Sequence, residues 1–138
     1  LEYLAQSMDE RYTNAIKSEQ SPEEKFTTLF QNQFSFFKKH PHFVVAVFSD
    51  GLMEESERIN ETILKIMQVK MKHLIPIIME GQQKNIFTNS ITSDELIHIV
   101  MGTFRLQMYK WRVANFQFDI IRNGDNMIQA VLTLIKSK

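Results

Sequence analysis

Between Leu96 and Val113 the chain places apolar residues on two faces of what reads as one helix. At ~100° per residue, Leu96, Ile97, Val100, Met101, Phe104, Met108 and Trp111 form one broad stripe. Ile99, Gly102, Leu106, Tyr109 and Val113 form a second seam with alternating spacings of three and four. That alternation is the heptad pattern of a helix packing on another helix. A helix apolar on two sides must be covered on two sides. A chain carrying such a helix in 138 residues has to be a small helical bundle, or part of a larger one.

The rest of the sequence agrees with an all-α fold. Four Gly and three Pro are few for an all-β or loop-rich protein, and each falls where a helix would start, stop, bend or pack closely. A first amphipathic helix is expected over about Leu1 to Ser18, its stripe made by Leu1, Leu4, Ala5, Met8, Tyr12, Ala15 and Ile16. Ser21-Pro22-Glu23-Glu24 is a capping box with Pro at the first helical position, and the helix it opens runs to about Lys39. His40-Pro41 ends it, because a residue before Pro disfavours the α conformation. Phe43 to Phe48 is rich in valine but has no convincing strand to pair with, so it reads as a short buried helix.

Asp50-Gly51 makes the next break, before a long helix over about Met53 to Gln82 with Glu54–Arg58 and Glu61–Lys65 as i,i+4 pairs. Pro76 is expected to kink it near Lys72. Thr92-Ser93-Asp94-Glu95 is a second capping box, and Phe118-Asp119 turns the chain into a last helix over about Ile121 to Lys136. Its apolar stripe is Ile121, Gly124, Met127, Ile128, Val131, Leu134 and Ile135. The expectation is six helices, no sheet, and one domain over residues 1–138.

Composition excludes several functions. Sixteen acidic against sixteen basic residues argues against a nucleic-acid surface or a polybasic membrane patch in this segment. No Cys means no disulfide framework, thiolate metal site or Cys nucleophile, and it fits a reducing, cytoplasmic setting. The longest apolar runs are far shorter than the ~18–20 residues of a membrane span. The first residue is Leu rather than Met, which suggests that something stood upstream.

Catalytic and metal chemistry is not nominated. Glu95-Leu96-Ile97-His98 has the Glu-x-x-His spacing of di-iron bundles, but such a site needs two of these motifs and two further Glu. One motif is present, and Glu95 is already explained as a cap. His73 lies among Lys70 and Lys72 and reads as part of a solvated face. Gly-rich phosphate loops, nucleophile elbows and His-Glu-x-x-His motifs are missing from the sequence. No enzyme, cofactor or metal is expected.

Eleven Phe and eight Met give the chain a soft, aromatic interior. These side chains either fill the core or line an apolar cavity between helices, where bundles hold ligands. The seam on the penultimate helix is expected to pair with the last helix of a twofold mate. That homodimeric four-helix bundle would use Ile99, Gly102, Leu106, Tyr109 and Val113 with Gly124, Met127, Ile128, Val131 and Ile135.

The order of elements resembles the C-terminal, effector-binding and dimerisation domain of TetR-family transcriptional regulators. The likeness is carried by Ser21-Pro22-Glu23-Glu24-Lys25-Phe26, by His40-Pro41, and by a long Pro-containing helix ending in Glu80-Gly81. It continues through Ile86-Phe87, Ile91-Thr92-Ser93-Asp94-Glu95-Leu96, Trp111 and Phe118-Asp119-Ile120. Asn85 stands where relatives often carry Gly, and Asn tolerates the left-handed conformation. The resemblance implies a repressor-like regulator whose DNA contacts are made only by an N-terminal helix-turn-helix head not among these residues. It also turns the inward faces into an expected pocket for an uncharged or weakly charged apolar effector. Phe30, Phe34, Met67, Met71, Phe104, Met108 and Trp111 would line it, with Gln33, Gln107 and Tyr109 to orient the ligand. A helical protein–protein interaction domain without an effector is the alternative.

Overall fold

Capping and apolar spacing set the helices of the computed structural model, which describes residues 2–47 and 57–138. Among the described residues there are six, here α1 (Glu2–Ala15), α2 (Pro22–Lys39), α3 (Pro41–Val47), α4 (Glu57–Gln83), α5 (Ser93–Val113) and α6 (Ile120–Ile135). The Asp50-Gly51 break and the start of the long helix, with its Glu54–Arg58 pair, lie outside the described residues. No helix among the described residues is long and apolar enough to cross a membrane.

Both capping boxes form. Ser21 Oγ accepts from the Glu24 N–H at 3.1 Å while Glu24 accepts from the Ser21 N–H at 3.0 Å. Thr92 and Glu95 repeat the arrangement at the start of α5. Asp119 caps α6, its carboxylate accepting from the N–H groups of Ile121 and Arg122. Each cap satisfies N–H groups that have no partner inside the helix.

The middle of the bundle is α2, which packs on α1, α3, α4 and α6. Phe26, Leu29, Phe30, Phe34 and Phe37 are all buried on it. α1 lays Leu4, Ala5, Met8 and Tyr12 against α2 and α4, as its spacing predicts. The valine-rich segment is indeed helical in α3, and it buries Val44. Pro76 stands inside α4, which continues past it to Gln83.

α6 is rotated slightly from its expected face. Ile120 and Leu132 join Ile128, Val131 and Ile135 in the core, whereas Leu134 is 81% exposed. Gly124 explains how closely α6 approaches α2. A Cβ built there would lie 2.5 Å from Cδ2 of Phe34, so only a hydrogen leaves room for that ring.

Among the described residues, three outside glycine adopt left-handed backbone: Asn85 at φ 58°, Asn115 at φ 53° and Phe116 at φ 61°. The first is the position where the resemblance expects Gly. The other two make the turn between α5 and α6. There Phe116 lies edge-on to Trp111 with ring centroids 4.8 Å apart, and Trp111 Nε1 donates to the Phe118 carbonyl at 3.0 Å. These contacts hold a conformation that a bulky side chain rarely adopts.

Candidate functional site

The apolar stripe of α4 runs Ile63, Ile66, Lys70, Leu74 and Ile77, all buried. A lysine thus occupies a core register on a helix with three- and four-residue spacing. Alongside α4 lies α5, and between them opens a groove of about 180 Å³. Ile63, Ile66, Met67 and Lys70 supply one wall; His98, Met101, Gly102 and Arg105 supply the other. Gly102 contributes space, since a Cβ built on it would meet nothing within 4 Å.

The groove is apolar except for its three nitrogen-bearing side chains, and no carboxylate is among these lining residues. Lys70 is 8% exposed. Burial, and then the positive charge of Arg105 across the groove, push its ammonium down to about 7. Removing a cation from water without pairing it disfavours the charged form, and a like charge nearby adds to that. The arrangement can therefore hold an apolar body and can also favour an anion, but it offers no nucleophile–base pair.

A second recess, of about 250 Å³, lies between the ends of α1 and α2 and the later part of α4, lined by Ile16, Lys25, Lys72, His73, Pro76, Ile77 and Glu80. Its charges are already paired within the chain. Lys25 meets Glu80 at 3.0 Å, and both Lys72 and His73 meet Asp9. The groove between α4 and α5 is the better-prepared site.

Of the seven residues expected to line a pocket, five are buried in the core and one lines this groove. Phe30 and Phe104 stack with ring centroids 3.9 Å apart at 19°, and Phe34 meets Phe104 at 5.9 Å. Phe26 closes on both Phe30 and Phe104. Met108 and Trp111 are buried in the same core. These five are packing partners of one another or of neighbouring core residues. Met67 and Met71 are partly exposed, at 39% and 37%, and of the seven only Met67 lines the groove. Periodicity identifies an inward face, but it does not say whether the face meets a ring or an opening.

The polar expectations change similarly. Gln33 is fully buried, and neither its Nε2 nor its Oε1 has a hydrogen-bond partner among the described residues. Gln107 is also buried, and Tyr109 is half-buried against the core. The solvated face read for Lys70, Lys72 and His73 is corrected at Lys70, which is 8% exposed. Its register with Ile63, Ile66 and Leu74 was the available signal, obscured by reading it with its neighbours Lys72 and His73 as one solvated face. His73 is not solvated either; its Nε2 lies 2.6 Å from Asp9 Oδ1.

The expected partner-facing seam divides into three parts. Ile99, Leu106 and Val113 are 55–57% exposed on α5. Gly102 opens on the groove, and Tyr109 leans on the core. On α6, Gly124, Ile128, Val131 and Ile135 are buried within the subunit, and Met127 is partly buried against the same core. The apolar stripe of α6 is taken up within the subunit, chiefly where α6 packs on α2. Leu134 is the large apolar residue that α6 leaves open.

Comparison with known proteins places this architecture. The family described as "YsiA-like protein, C-terminal region" matches residues 2–135. The structure of the transcriptional regulator FadR from Bacillus subtilis in complex with stearoyl-CoA superposes with a TM-score of 0.84 at 16% identity. That match covers 97% of this chain and 72% of the FadR chain. No curated protein matches the sequence significantly.

Proposed function

The chain belongs to the YsiA-like C-terminal regions of TetR-type regulators, and from that premise we propose that it binds an apolar small-molecule effector and dimerises to control DNA binding. Membership in a regulator family makes it a regulatory rather than a catalytic domain. The observation that carries the effector reading is the groove between α4 and α5, apolar in Ile63, Ile66, Met67 and Met101 and left open by Gly102. The stearoyl-CoA bound to the FadR structure supports a ligand with a hydrocarbon part.

The proposed unit is residues 1–138, working in the cytoplasm, with DNA contacted by a head outside these residues. Exposed Ile99, Leu106 and Val113 on α5, with Leu134 on α6, support a homodimer through the outer faces of the last two helices. Effector binding would then bias the relative placement of the two heads, a shift between DNA-competent and incompetent dimers.

A panel of alkyl and aryl compounds, measured by thermal shift on the parent and on Gly102→Leu, tests the effector reading. Ligands of the groove raise Tm in the parent and lose that effect when leucine fills the open wall. A panel in which every stabilising compound acts equally on both proteins would place the site elsewhere.

A further inference from the structure

We propose that Lys70 is a covalent capture site in the α4–α5 groove, its side-chain amine condensing reversibly with a small apolar aldehyde to form an imine. This rests on the effector reading above and adds the reactive group of the ligand. The first support is geometric. Lys70 shares the buried register of α4 with Ile63, Ile66 and Leu74, and it also lines the groove. Other lysines of the chain meet carboxylates: Lys25 and Lys84 at Glu80, Lys72 at Asp9 and Lys136 at Glu23. Lys70 is the buried lysine among the described residues, and its amine makes no ion pair or hydrogen bond among them.

The second support is chemical. A lysine amine buried without a countercharge gives up its proton readily. Burial, and after it the charge of Arg105, hold this ammonium down to about 7. His98 and Arg105 are the other ionisable side chains among the described residues lining the groove, and neither is a carboxylate that would restore the charged form. At pH 7 an ordinary lysine is neutral in only ~0.04% of molecules, whereas Lys70 is neutral in about half. A neutral amine in an apolar pocket is the form that attacks a carbonyl carbon.

The step is balanced by the amine and the aldehyde alone. The nitrogen lone pair forms the C–N bond while the carbonyl oxygen takes up a proton, giving a carbinolamine. That oxygen then leaves as water, carrying both protons of the amine, and the C=N bond remains. Hydrolysis returns the aldehyde and the free lysine, which suits an effector that must be released; an acyl donor would leave an amide that water does not readily reverse. Size is the third support. An apolar cavity of roughly 150 Å³ holds a benzene ring, and this groove has about 180 Å³. Hexanal matches that space.

Hexanal should be incubated with the 138-residue chain and sodium cyanoborohydride, which reduces an imine to a stable secondary amine. Peptide mass spectrometry then gives the alkylation rate of each lysine. At pH 7 Lys70 is expected to react at least about tenfold faster than exposed Lys39 and Lys110. That ratio is expected to fall as pH rises from 7 to 9, because the exposed amines go on losing protons after Lys70 has lost its own. Excess hexanol, which fills the groove without reacting, is expected to slow Lys70 and to shift the methyl NMR signals of Met67 and Met101, both lining the groove. Hexanol shifts at both methionines with Lys70 no faster than Lys110 would overturn the capture site and leave the effector reading standing. Fast Lys70 alkylation that hexanol does not slow would place the reaction outside the groove and overturn the proposal as well. Absence of any methionine shift together with no preference for Lys70 would overturn the site and the effector reading together.

Discussion

His73 Nε2 of α4 stands 2.6 Å from Oδ1 of Asp9 on α1, and Lys72 Nζ reaches the other carboxylate oxygen at 3.0 Å. The His73 ring also lies edge-on to Tyr12, centroids 5.4 Å apart. One short stretch of α4 thus ties α1 by its outer side, while Lys70, two and three residues earlier, faces the groove. The element that would sense a ligand is the same one that holds the first helix.

The Asp9 tie predicts an acid-side dependence. Hydrogen bonds from His73 and then Lys72 hold the Asp9 carboxyl below its ordinary 3.8. A depressed carboxyl stabilises the fold above its unfolded value, and that contribution is lost as pH falls through the folded one. Asp9→Asn should cost about 1 kcal/mol at neutral pH and remove this part of the loss below pH ~4. Urea denaturation of both proteins at neutral and acid pH checks it.

Lys70 predicts a dependence of the same sign in a higher pH window. Its folded ammonium gives up a proton near 7, whereas its ordinary value is 10.5. Between those values the unfolded chain binds more protons, so stability rises with pH. Relative to Lys70→Met, the parent should gain on the order of 1–2 kcal/mol from pH 7 to 9. Parallel denaturation curves for the two proteins over that interval would contradict the burial of this amine.

Two helical glycines should respond oppositely to alanine. Gly102→Ala places its methyl in open space and should stabilise the chain by about 0.5–1 kcal/mol through helix propensity. Gly124→Ala drives a methyl into the Phe34 ring, which is itself held against Phe104, and should cost about 1–3 kcal/mol. Thermal melts of the pair provide the comparison.

Gln33 predicts a gain on losing polarity. Both of its amide atoms are buried without a hydrogen-bond partner among the described residues. Gln33→Met keeps the length and removes that penalty, so stability should rise by about 1 kcal/mol. A fall in Tm would instead reveal a partner for the amide in solution.

The proposed dimer uses the outer face of α5. Leu106 is 57% exposed in the subunit, so Leu106→Glu should leave the helical circular dichroism unchanged. It should nevertheless convert the dimer to a monomer in sedimentation velocity, because a charge buried at an interface without a partner is strongly unfavourable. A variant that sediments as the parent does would remove this seam from the interface.

The two capping boxes, the alternation on α5 and the scarcity of Gly and Pro determine a helical bundle from the sequence alone. These are local signals, written within a few residues of where they act. Asp119 as a cap and Asn85 as a left-handed turn are legible for the same reason. The site is a different kind of fact. Phe30, Phe34 and Phe104 have the spacing of inward faces, and they close on one another, with Gly124 leaving room for the Phe34 ring. Lys70 has the composition of a solvated face, yet its register turns it into the groove left beside Gly102. Whether an inward side chain meets a ring, a void or a like charge depends on the residue that faces it from another helix. That pairing exists only once α2, α4, α5 and α6 have packed, so tertiary structure alone decided where the opening lies and what charge it carries.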